Sequence, residues 1–130
     1  MPELGTILKL LERIAPSVLA ESWDRSGLQW GDLRQQVRRI VIGLDLDDEC
    51  IDVAAKQGAE LILVHHPPLF RPLQEIHWDQ PAGARILRCF QEGIAVVALH
   101  TNLDAARDGV SLSLAKRLQL EDTQPLSPRS

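Results

Sequence analysis

The residues of this chain best suited to chemistry gather in two short stretches, His65-His66-Pro67-Pro68 and His100-Thr101-Asn102-Leu103-Asp104. Imidazole offers a neutral nitrogen lone pair near neutral pH, which suits zinc, iron, nickel and similar ions, and a carboxylate adds a hard oxygen donor. Together they point to a divalent-metal site and to hydrolysis at the metal. Adjacent side chains of a regular strand face opposite ways, so His65 and His66 would diverge if the strand ran on. The prolines change this, because each disfavours the helical region for the residue before it and turns the chain where the rings must be aimed. Such a pair presents its nitrogens to one ion or to two neighbouring ions; the plainer alternative is that it merely ends a strand. His100 and Asp104 lie four apart, on one face whether the segment is extended or helical. Taken alone, Asp104 also fits a helix cap or a turn.

Other positions are weaker candidates. Asp45 is placed to orient an imidazole from behind, although an acidic residue after a strand more often caps the next helix. Trp23-Asp24 with Gly27 reads as a packed turn, the indole supplying buried area and the glycine a permissive backbone. His77, among Glu75, Trp78 and Asp79, reads as a surface-loop histidine. Cys50 and Cys89 stand outside any C-x-x-C pattern and suit buried thiols in a reducing compartment, hence a cytoplasmic protein.

The elements that must position these residues follow from periodicity. Ile7, Leu8, Leu10, Leu11 and Ile14 recur at helical spacing and predict an amphipathic helix over residues 4–14, ended by Pro16. Residues 37–46, VRRIVIGLDL, predict a buried strand, after which Asp47 and Asp48 cap a helix over 49–57 that Gly58 stops. Residues 60–64 predict a second strand running straight into His65. Residues 81–91 predict a helix with proline in its first turn and Gly93 past its end, and 94–99 a third strand. Asp108-Gly109 marks a turn before a last helix reaching about residue 120. This rhythm predicts an α/β fold, a parallel or mixed sheet flanked by helices, in which ligands collect at the carboxyl ends of strands. Both histidine motifs sit at such ends.

The 130 residues, 45% hydrophobic, suffice for one core, so residues 1–120 are expected to form one domain and 121–130 a polar tail or the start of a linker. Eighteen acidic against 14 basic residues leave a formal charge of -4, and no Lys/Arg run forms a stripe for a phosphate backbone, which argues against nucleic-acid binding. No apolar stretch approaches the roughly 18 residues of a membrane span, and the first residues carry no basic flank, so neither membrane insertion nor export is expected.

Three segments, AESWDRSGLQWGD from Ala20, LILVHHPPLF from Leu61 and ALHTNLDAARDGV from Ala98, resemble in order and spacing the Nif-three-like family, also known as GTP cyclohydrolase 1 type 2 homologues. The resemblance implies a dinuclear centre of divalent ions, with zinc, iron, manganese and nickel not distinguished, in which His65, His66 and Asp104 are ligands and Asp104 bridges. It implies a proton-handling role for His100, and a homo-oligomer, usually a hexameric ring. It further implies a His and a Glu, in an H-x-x-x-E helix, from a second half that longer family members carry. No histidine follows Leu120 here, which leaves a half-length relative, a fragment or a partner subunit as the open alternatives. The family more often has Asn after the Asp where this chain reads Asp24-Arg25. The functions to be weighed are a metal-dependent hydrolase of a nucleotide or other phosphorylated small molecule, a non-catalytic metal-binding scaffold, and a remnant that has lost its site.

Overall fold

In a computed structural model that describes residues 1–126, helix α1 (Leu4–Ile14) forms where the apolar spacing predicts it and buries Leu4 and Ile7. A single 3-10 turn at Ser17–Leu19 follows Pro16. Next come β1 (Gly27–Trp30), β2 (Ile40–Gly43), α2 (Asp48–Gln57), β3 (Leu61–Val64), α3 (Pro81–Gln91) and β4 (Ala95–Ala98), then α4 (Thr101–Ala105) and α5 (Val110–Arg117). Helix α2 is bounded as its end residues dictate. The Asp47 carboxylate accepts from the Cys50 N–H at 2.8 Å, and Gly58 takes the left-handed conformation that closes the last turn. Pro81 opens α3, and Gly93, at φ 66°, lets the Ile94 N–H donate back to the Cys89 carbonyl at 2.8 Å.

The sheet has the order β1-β4-β3-β2, with β2, β3 and β4 parallel and β1 antiparallel to β4. It is therefore a mixed sheet flanked by helices. On one face Ile62, Val64, Val96 and Ala98 pack against Ile51 and Ala54 of α2 and Cys89 of α3. On the other, Leu61, Ala95 and Val97 pack against Leu4 and Ile7 of α1. Strands β3 and β4 are buried on both faces, which explains their unbroken apolar runs.

The structure departs from expectation in the strand over 37–46, in an additional strand and in the end of the last helix. The strand expected over 37–46 is only four residues long and lies at the sheet edge, with Ile40 and Ile42 exposed rather than buried, because α1 covers β3 and β4 and leaves β2 open. Strand β1 was not expected at all. Of the tail expected over 121–130, residues 121–126 carry no helix or strand, and 127–130 lie outside the described residues; the last helix ends at Arg117, short of 120.

Topology also decides what meets at one edge. The carboxyl ends of parallel β2, β3 and β4 deliver Asp45, His65-His66 and His100 to the same side. Because β1 runs the other way, with Gly27 opposite Ala98, its amino end brings Asp24 to that side too.

Candidate metal centre

The chain turns at the end of β3, where the amides of both His65 and His66 donate to the Leu44 carbonyl, at 3.1 and 3.0 Å. The two rings consequently face a common space rather than opposite faces, with centroids 5.0 Å apart. The His100 ring joins them, 5.2 Å from His65 and 5.7 Å from His66. One potential ligand nitrogen from each of the three lies within 4.8 Å of the others. Asp104, on α4, reaches the same place, its Oδ1 standing 3.5 Å from His65 Nε2. All four residues singled out from sequence are thus brought together.

Each ring is oriented through its Nδ1. His65 Nδ1 donates to the Leu99 carbonyl at 2.8 Å, His66 Nδ1 to Asp45 Oδ1 at 2.7 Å, and His100 Nδ1 to Asp24 Oδ1 at 2.8 Å. Carbonyl and carboxylate oxygens only accept, so each Nδ1 carries a hydrogen, and in the neutral ring the lone pair then lies on Nε2. This is the arrangement that metal-binding histidines adopt, where the outer hydrogen bond fixes ring and tautomer. Two nitrogens on one tetrahedral zinc stand about 3.4 Å apart, so a small side-chain adjustment would let neighbouring rings of the cluster share an ion. The donor set of imidazoles and a carboxylate, without a thiolate, fits a divalent ion of the zinc, iron, manganese or nickel class.

Of the two roles open to Asp45, the structure has it hold His66, and Asp47 caps α2 as expected. The 20s segment is more than a packed turn. Trp23 is 53% exposed, while Asp24 is buried and accepts from His100, from the Arg25 N–H, and from both the N–H and the hydroxyl of Thr101. Burial alone would raise the Asp24 carboxyl, but the hydrogen bonds from Thr101, His100 and Arg25 outweigh it and hold the group below its ordinary value, as a carboxylate. Buried Asn102 fixes the turn into α4: its Oδ1 accepts from the His100 N–H at 2.9 Å and its Nδ2 donates to the Ala15 carbonyl at 2.8 Å. His77 is the surface-loop residue expected, half exposed beside Glu75.

Around the rings lies an aromatic rim. Trp23 makes edge contacts with both His100 and Phe70, at centroid distances of 6.1 and 6.0 Å, and Phe70 is 45% exposed.

Comparison with known proteins places the chain in a family. The chain is 43% identical to the GTP cyclohydrolase 1 type 2 homolog of Bacillus subtilis over 122 residues, 94% of this chain and 33% of that protein. It is 35% identical to NIF3-like protein 1 of Drosophila melanogaster, over 97% of this chain and 44% of that one. A Bacillus cereus protein related to NIF3 superposes with a TM-score of 0.96 and 41% identity over 100% of this chain and 36% of its own. The chain thus spans a third to less than half of the length of these relatives. A family model, Duf34/NIF3 (NGG1p interacting factor 3), matches residues 2–129, and the chain belongs to that family.

Proposed function

We propose that this chain is the metal-binding part of a divalent-metal-dependent hydrolase that acts on a nucleotide or another phosphorylated small molecule. The observation that carries the reading is the convergence of three imidazoles, each tied at Nδ1 and bare at Nε2, beside the Asp104 carboxylate. His65, His66 and Asp104 are the ligands in this reading. A bound divalent ion would act as a Lewis acid, polarising the bond under attack and strengthening water as a nucleophile.

The chain's own residues supply the rest. His100 Nε2, held by Asp24 behind it, accepts a proton from the attacking water and returns it to the leaving group. Trp23 and Phe70 offer half-exposed aromatic edges and faces to a flat base, and exposed Arg25 and Arg71, next in sequence to Asp24 and Phe70, supply cations for an anionic group. Two ions sharing only His65, His66 and Asp104 would each be short of donors, so the second ion and the further His and Glu belong to this proposal as contributions from outside these residues. So do the homo-oligomer, a hexameric ring by family resemblance, and a cytoplasmic setting, which the free thiols of Cys50 and Cys89 favour. Among the described residues no helix is long and apolar enough to cross a membrane.

The test is metal analysis of the purified chain, followed by assay of GTP and simpler phosphorylated substrates with zinc, manganese or iron added. Bound metal and turnover are expected, with both lost in His66→Ala. A chain that binds none of these ions and turns over no substrate would overturn the proposal. A second reading, a non-catalytic metal-binding scaffold, is favoured by the open apolar edge of β2. It predicts metal binding without turnover, with partner assembly surviving His66→Ala. The shared orientation of the rings speaks against a remnant with a decayed site.

A further inference from the structure

Asp24 is set apart from the other carboxylates around the site by its burial. Its side chain is 1% exposed, against 57% for Asp45 and 41% for Asp104. Burying a carboxylate is costly unless every lone pair is used, and here four donors use them. Oδ1 accepts from His100 Nδ1 at 2.8 Å and from the Arg25 N–H at 2.6 Å; Oδ2 accepts from the Thr101 N–H at 3.0 Å and from the Thr101 hydroxyl. One group therefore grips both His100 and the first residue of α4, the helix that carries Asp104.

We infer that Asp24 is a positioning residue that dictates which nitrogen of His100 faces the site and anchors the helix bearing Asp104. The inference rests on the metal-site reading above only for its second consequence, metal affinity. Its first consequence, the His100 tautomer, belongs to the chain alone. A carboxylate can meet four donors. A carboxamide cannot, because its NH2 must face one pair of them. In Asp24→Asn the NH2 either opposes the Thr101 N–H and hydroxyl, loosening α4, or opposes His100 Nδ1, which must then give up its hydrogen to Nε2. Nε2 is the nitrogen needed bare. Both arrangements damage the site without removing any of its four residues.

The experiment reads histidine tautomers by nitrogen-15 NMR on the metal-free chain in mildly alkaline buffer, with His100 identified from the His100→Asn spectrum. In the unsubstituted protein His100 is expected to carry its hydrogen on Nδ1, as are His65 and His66. In Asp24→Asn the His100 signals are expected to move to the Nε2–H form or to a mixture, while His65 and His66, held by Leu99 and Asp45, keep theirs. Zinc titration by calorimetry is expected to show binding weakened by about 10- to 100-fold, with circular dichroism unchanged. Two results would overturn the inference: His100 hydrogenated on Nε2 in the unsubstituted protein, a measurement that needs no variant to fold, or an Asp24→Asn protein with an unchanged tautomer and zinc affinity. An unsubstituted chain that binds no zinc defeats the metal reading instead, and the tautomer spectra still decide the role of Asp24.

Discussion

Which side chains take part in chemistry here is decided by what surrounds each one. Cys89 is fully buried on α3 among Ile62, Ala98 and their neighbours, and burial, with Cys50 nearby, pushes its thiol from the ordinary 9.0 up to about 11; burial also raises Cys50. A thiol so disinclined to ionise is a poor ligand and a poor nucleophile, which leaves the imidazoles and carboxylates to act. The shift has a stability consequence. The unfolded chain gives up this proton near pH 9.0 and the native chain only near 11, so stability is full below 9.0 and declines as pH rises across that window. Urea midpoints measured at rising pH should fall there, and a thiol reagent near neutral pH should label Cys89 only as fast as the protein unfolds. Labelling at the rate of a free thiol would contradict this. At the same scale, His65, His66, His100 and Asp104 were legible from residue type and spacing. The role of Asp24 was not, and for Asp45 the sequence left two roles open, because their partners His100 and His66 lie 76 and 21 residues away and only the sheet order brings them together.

Elements behave in the same way. Helices α1, α2 and α3 were legible close to their ends because local signals, namely apolar periodicity, the Asp47 cap, Pro81, Pro16 after α1 and Gly58 and Gly93 after α2 and α3, all agree. Strand β1 has four residues beginning with glycine, and α4 has five; their reasons to form are a ladder with β4 and the Asp24 and Asn102 hydrogen bonds, none of them local. The placement of Asp104 therefore depends on how α4 is fixed at its far end. There Gly109 approaches so closely that an added Cβ would stand 1.8 Å from the Leu103 carbonyl oxygen and 3.0 Å from that of Ala106. Gly109→Ala must push α4 and α5 apart, and is expected to cost about 1–3 kcal/mol in stability and to weaken zinc binding by displacing Asp104. Gly93→Ala is the control. Its Cβ would meet nothing within 4 Å, so only the left-handed backbone at φ 66° is penalised, by about 1–2 kcal/mol. Denaturation with zinc titration of both variants should separate them, and equal zinc affinities would break the link between α4 packing and the site.

For the molecule as a whole the unfinished feature is the sheet edge. Ile40 and Ile42 of β2 and Leu44 just past it are 44%, 77% and 62% exposed, and among the described residues β2 pairs only with β3. On α1, Leu10 and Ile14 are also exposed, at 50% and 61%. Exposed apolar side chains thus lie along a strand whose outer N–H and C=O groups have no ladder partner among the described residues, the combination that draws another chain onto an edge. With the homo-oligomer proposed above, a second copy is the occupant expected for the isolated chain. The check is Ile42→Lys. Because Ile42 is mostly exposed, the change should leave the stability of one copy within about 0.5 kcal/mol, while a lysine on the edge penalises association. Light scattering across a concentration series should show the unsubstituted chain associating and the variant monomeric, with matching circular dichroism. A monodisperse monomer at every concentration in the unsubstituted chain would overturn the expectation that copies associate through this edge.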